Sequence, residues 1–160
     1  MTRKSKTAIG SIAGLALVVS LFAGSTQAAE AAPLSTHHVA SGIGASQQTN
    51  QRKLLALIVK AAQSYIAGVK KANPGIYSKI RILGVYPGTV VYEYTYAKHL
   101  DPSAASAYFD SKLSTLKTTA KATVFPSLRL GGLTGTLHLE YVFKNPNGST
   151  IWKKVLTSTK

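Results

Sequence analysis

Hydrophobic positions along this chain follow two alternating periods, and the alternation predicts the elements in order. Over residues 50–72, Leu54, Leu55, Ile58, Ala61, Ala62, Tyr65, Ile66 and Val69 recur at three- and four-residue spacing, which marks a helix with one apolar face. Thr49 or Asn50 supplies an acceptor for its first free N–H groups, Lys70 and Lys71 suit its C-terminal dipole, and Asn73-Pro74-Gly75 stops it. From Lys79 the period drops to two. Two strands, Ile80 to Tyr86 and Thr89 to Tyr96, are joined by Pro87-Gly88, where proline presets the first central turn position and glycine accepts a positive φ at the second. Val90, Tyr92, Tyr94 and Tyr96 share one face of the second strand, opposite Val91, Glu93 and Thr95. The second set is the more polar, so the tyrosines are expected in the core. Stacking of their rings on sugars or bases is the alternative.

Asp101-Pro102 opens a second helix, with Asp as N-cap and Pro at the first helical position. Its apolar stripe is Ala105, Phe109, Leu113, Leu116 and Ala120, and Pro126 marks its expected limit. After Gly131-Gly132, the stretch from Thr134 to Phe143 alternates, with Leu137, Leu139, Tyr141 and Phe143 on one face. Asn145-Pro146-Asn147-Gly148 turns the chain, and Ser149 to Leu156 returns. The order predicts an α+β fold of the helix-hairpin-helix-hairpin type: a four-stranded antiparallel sheet covered on one face by two helices. The sheet's other face, with Arg81, Glu93, His138, Glu140 and several threonines, is then left to solvent or a partner.

Ahead of this domain the pattern changes. Arg3, Lys4 and Lys6 precede an apolar run from Ala8 to Ala23, and small residues follow, so residues 1–28 read as a secretory signal peptide cleaved after Ala28 or, nearly as well, after Ala31. Residues 29–48, rich in Ala, Ser, Thr, Gly and Gln, read as a flexible linker, and residues 49–160 as a single domain. The chain has no cysteine, which removes lipid attachment through a processed cysteine, disulfides, thiol catalysis and cysteine-based zinc sites. The expectation is a secreted protein, extracellular or loosely associated with a cell wall, with no integral membrane span after cleavage.

Charge sharpens that picture. Nineteen Lys and Arg oppose five Asp and Glu, a net charge of +14, and loss of Arg3, Lys4 and Lys6 with the leader still leaves a net charge of about +11. A field of that sign draws a protein to polyanions, and salt weakens the attraction. The expected partners are anionic polymers or surfaces: teichoic acid, host glycans, anionic head groups, or nucleic acid bound without sequence preference. An extracellular protein is the other partner class.

The stretch Val90-Val91-Tyr92-Glu93-Tyr94-Thr95-Tyr96, the Leu100-Asp101 helix start, Leu139-Glu140-Tyr141-Val142 and the Asn147-Gly148-Ser149-Thr150-Ile151 turn together resemble a domain of unknown function found in small exported proteins of Gram-positive bacteria. The resemblance runs from about Leu54 to the C-terminus. It implies export and a hairpin-built core, and it carries no catalytic residues. Members often follow a lipoprotein-type signal, whereas this chain lacks the lipid-accepting cysteine, which favours release into the wall or medium.

Candidate chemistry is sparse. His138 and Glu140 share a strand face, but two ligands do not close a metal site. His99 and Asp101 suggest an acid–base pair, yet Asp101 is better used as a cap. The paired His37-His38 falls in the linker. No serine sits in a Gly-x-Ser-x-Gly turn, and Glu93 and Glu140, among so many cations, suit cross-strand ion pairs better than a carboxylate dyad. No enzyme, metal or cofactor is expected. The ligand-binding candidates are Arg81, Lys144, Trp152, Lys153 and Lys154, because an aromatic ring beside basic groups suits anionic ligands, although Trp152 serves equally well as cover for a sheet edge. The functional expectation is a non-enzymatic basic protein held by charge to anionic polymers. An inhibitor or immunity-type module using the exposed sheet face is the alternative.

Overall fold

The computed structural model describes residues 43–158. The expected signal peptide, both cleavage positions, His37-His38 and residues 29–42 of the expected linker lie outside the described residues. The elements run α1 (Ile43–Ser64), α2 (Ile66–Ala72), β1 (Tyr77–Val85), β2 (Thr89–Tyr96), α3 (Pro102–Thr119), a π-helical turn (Ala120–Val124), α4 (Phe125–Leu130), β3 (His138–Lys144) and β4 (Thr150–Thr157). Among the described residues no helix is long and apolar enough to cross a membrane.

The strands form one sheet in the order β1-β2-β3-β4. β1 pairs antiparallel with β2, and β3 with β4, but β2 and β3 run parallel, with Thr89 opposite His138 and Thr95 opposite Lys144. The sheet is therefore mixed, and the expected helix-hairpin-helix-hairpin arrangement around an antiparallel sheet is overturned. The physical reason lies between the strand pairs. The chain leaves β2, crosses over the sheet through α3, the π turn and α4, and re-enters beside β2 in the same direction, as a helical crossover allows.

The two expected helical stretches are present on one face of the sheet, but each is longer than expected and broken along its length. α1 begins at Ile43, ahead of the expected start, and is interrupted at Tyr65, where the N–H bonds back to Ala62 O at 3.2 Å before α2 resumes. The second helix continues beyond Pro126. The π turn re-phases it, and Pro126 then falls in the first turn of α4, where its missing N–H removes no helical bond.

Both helical stretches cover one face of the sheet. Leu55, Val59, Ala62 and Val69 come from α1 and α2, and Ala61 and Tyr65, expected on that stripe, are exposed instead. Ala105, Phe109 and Leu116 come from α3, while Val124, Phe125 and Leu128 complete the layer. Below them lie Ile80, Ile82, Tyr92, Tyr94, Leu139, Tyr141 and Phe143, so the tyrosines belong to the core. Phe109 stacks on Phe143 with ring centroids 4.3 Å apart, and Tyr94 on Phe143 at 5.0 Å. Each such ring contributes roughly 1.5–3 kcal/mol by burial.

The approach of α1 to β1 is close. A Cβ on Gly84 would lie 2.9 Å from Leu55 Cγ and 3.0 Å from Val59 Cγ2. Gly88 is needed for closeness too, not for handedness. The Tyr86–Pro87 bond is cis and Gly88 has no positive φ, but a Cβ there would stand 3.0 Å from Leu137 Cδ2.

Two polar clamps hold the connections. Gln51 on α1 donates to Gly132 O and accepts from Thr134 N, tying the helix to the connector ahead of β3. Asn145, with none of its surface exposed, accepts from Leu100 N at 2.8 Å and donates to Leu100 O at 3.1 Å. Asp101 caps α3 as expected, accepting from Ala104 N at 2.8 Å.

Candidate functional site

Alternation along the strands sends Arg81, Glu93, Val142 and Lys153 in one row to the face that carries no helix among the described residues, with Leu83, Val91, Glu140 and Val155 in the next row. Glu93 sits between two cations, its Oε1 2.7 Å from Arg81 Nη2 and its Oε2 2.5 Å from Lys144 Nζ. Burial pushes the Glu93 carboxyl up, but the hydrogen bonds and charges of Lys144 and Arg81 outweigh it and hold the group below its ordinary value. Glu140 pairs with Lys153 at 2.8 Å. His138 Nδ1 lies 3.1 Å from Thr157 Oγ1.

The five candidate ligand residues therefore do not form one site. Arg81 and Lys144 are brought together, on Glu93, and Lys153 is on the same face but engaged by Glu140. Lys154, the next residue along the strand, turns to the helical side opposite Tyr141. Trp152 takes the packing alternative: it is 6 % exposed, its ring packs near Phe109 and Phe143, and its Nε1 donates to Asp110 on α3 at 2.9 Å. Register decides this, because Trp152 pairs with Phe143 and so shares its inward face.

Every carboxylate among the described residues has a partner: Glu93 and Glu140 in ion pairs, Asp101 on the start of α3, Asp110 on Trp152. Most of the described cations have no carboxylate partner, and five of them line two grooves. The first runs between α1 and the β1 edge, lined by Arg52, Lys60, Gln63 and Tyr86, with the Arg52 guanidinium 4.4 Å above the Tyr86 ring. The second runs between the β4 edge and the α3–α4 crossover, lined by Lys117, Lys121, Arg129, Phe125, Val155 and Thr157. Among the described residues no carboxylate lines either groove.

In the sequence, Lys117, Lys121 and Arg129 stand out only as part of the overall cation excess. Lys117 and Lys121 are four apart, a visible helical spacing, but the π turn that carries the helix on to Arg129 beside them left no readable signal. Neither groove contains His99, His138, Glu93 or Glu140, and among the described residues no group of three or more His, Asp or Glu is placed to hold a metal ion. No protein-family profile, no curated protein and no solved structure matches the chain.

Proposed function

We propose that this chain is an exported, non-enzymatic basic protein of the Gram-positive type its hairpin motifs resemble, held by charge to anionic polymers such as teichoic acids or glycans. The observation that carries this reading is the use of every described carboxylate inside the fold while two cation-lined grooves contain none. Such a surface attracts any dense array of phosphate or carboxylate, and its attraction falls with ionic strength. The test is retention of the purified protein on beads coated with wall teichoic acid. Binding at low salt that is released by moderate salt supports the reading, and passage through the beads at low salt overturns it.

A second reading, an inhibitor or immunity-type module, draws on the face without helices. Leu83, Val85 and Val155 are 40 %, 52 % and 44 % exposed there, beside the Glu93 and Glu140 ion pairs. Leu83→Glu would abolish capture of an extracellular protein partner on this reading while leaving polymer retention intact. Equal capture by the variant would end it.

A further inference from the structure

The two edges of the sheet are finished differently. On β1, the carbonyl of Ile82 accepts from Gln63 Nε2 at 2.8 Å and that of Ser78 from Lys70 Nζ at 3.1 Å, so side chains of α1 and α2 stopper the strand's open side. On β4 no such stopper exists among the described residues. Ser158 N–H bonds to Leu137 O at 2.8 Å, and with Leu156 opposite Leu139 and Lys154 opposite Tyr141, this sets the parity of the ladder. In an antiparallel pair alternate residues bond across. Leu156 and Lys154 thus face β3 with their N–H and C=O groups, while Lys153, Val155 and Thr157 direct theirs outward, and all three are exposed. Unpaired strand edges template the addition of another strand, and proteins ordinarily block them.

We infer that the β4 edge of this chain receives an extended acidic segment of a partner protein, which adds to the sheet as a fifth strand. The groove beside the edge sets the chemistry of that segment. Its helical wall presents Lys117, Lys121 and Arg129 with no opposing carboxylate. A strand laid along Val155 and Thr157 sends alternate side chains towards that wall, so Asp or Glu at every second position meets the cations. The intervening residues lie on the outer face beside Val155, where β-branched side chains fit. Main-chain bonds would supply affinity and the alternating side chains specificity. A second copy of this chain is a poor occupant, because it would set the same three cations against themselves. The inference does not rest on polymer retention, since it depends on backbone pairing as well as charge.

The experiment titrates the full chain with a fluorescent peptide, Thr-Glu-Val-Glu-Val-Glu-Thr, and with a peptide of the same sequence N-methylated along its central five residues. N-methylation keeps the charges and removes the donors. The unmodified peptide should bind, and the N-methylated one should bind at least tenfold more weakly. Val155→Pro removes an outward N–H at an edge position and no ladder bond, and should cost a similar factor. Lys117→Glu with Lys121→Glu should do the same by reversing the wall, with unchanged thermal unfolding confirming the fold, so the inference stays testable should the proline variant not fold. Four outcomes overturn it: no binding of the unmodified peptide at millimolar concentration, binding of the two peptides within twofold of each other, competition by inorganic polyphosphate against both peptides alike, or a dimer by sedimentation that Val155→Pro abolishes.

Discussion

Asn145 and Glu93 show how single polar residues are used here. Asn145 reads in sequence as the first residue of a turn, and its backbone does close one, donating to Ser149 O at 2.9 Å and accepting from Gly148 N at 2.9 Å. Its side chain meanwhile satisfies both backbone groups of Leu100 from a fully buried position. Asn145→Ala therefore orphans an N–H and a C=O together, and a loss of about 2–3 kcal/mol is expected, read as a lower urea midpoint at unchanged slope. Glu93 works by charge. Its folded-state pKa lies below the ordinary 4.5, so its stabilising contribution is present above that pH and is lost as pH falls through the lowered value. Glu93→Gln leaves Arg81 and Lys144 without their carboxylate and is expected to cost about 1–2 kcal/mol at pH 7, the group lying on a face only partly shielded from water. Unfolding free energy measured from pH 7 to pH 3 should fall more steeply in the native chain than in the variant. Trp152 gives the converse lesson: its sequence neighbours Lys153 and Lys154 suggested a basic-aromatic contact, but one residue of strand separates opposite faces, and composition alone does not reveal which face is covered.

At the scale of elements, the period-two stretches from Val90 to Tyr96 and from Leu137 to Phe143 were legible, and so was which of their faces turns inward, because burial selects the apolar set. The Asp101 cap was equally legible, since an acceptor side chain before Pro102 has a single economical use. The direction in which the two strand pairs join was not. A buried strand carries the same alternation whether its neighbour runs parallel or antiparallel, and only the path of the crossover fixes the choice. Helix interruptions were hidden for a related reason: Tyr65 and Thr119 are ordinary helical residues, and packing sets where the phase changes. The same packing makes Gly84 a test of the α1–β1 contact. Gly84→Val would drive its side chain into Leu55 and Val59, and a loss of about 1–3 kcal/mol is expected, with near-ultraviolet circular dichroism of the aromatic core weakened.

The whole molecule combines a tyrosine-rich interior with a surface short of carboxylate. Burial raises the hydroxyls of Tyr92, Tyr94 and Tyr96 above the ordinary value of 10.0, and that of Tyr141 to about 12. Because these groups are held neutral by the fold, the stability they add is complete below pH 10 and disappears as the pH climbs towards 12 and beyond. Absorbance at 295 nm should show these tyrosines ionising only together with collapse of the near-ultraviolet signal, as one cooperative step. At the surface, the charge excess was legible from composition, while the setting of Lys117, Lys121 and Arg129 along one groove depended on how the crossover lies against β4.

The parallel joint between β2 and β3 divides the molecule by the length of chain each contact must close. Within β1–β2, Val85 meets Thr89 across a tight turn, and within β3–β4, Lys144 meets Thr150, so both ribbons are local structures. The central joint brings Thr89 to His138 only after the whole helical crossover has been laid down. Closure entropy grows with the span enclosed, and distant pairings delay folding. The middle of the sheet, its best-covered part once formed, is thus the last ladder to acquire protection in a pulse-labelled refolding experiment, and the outer ribbons wait for it as two separate halves.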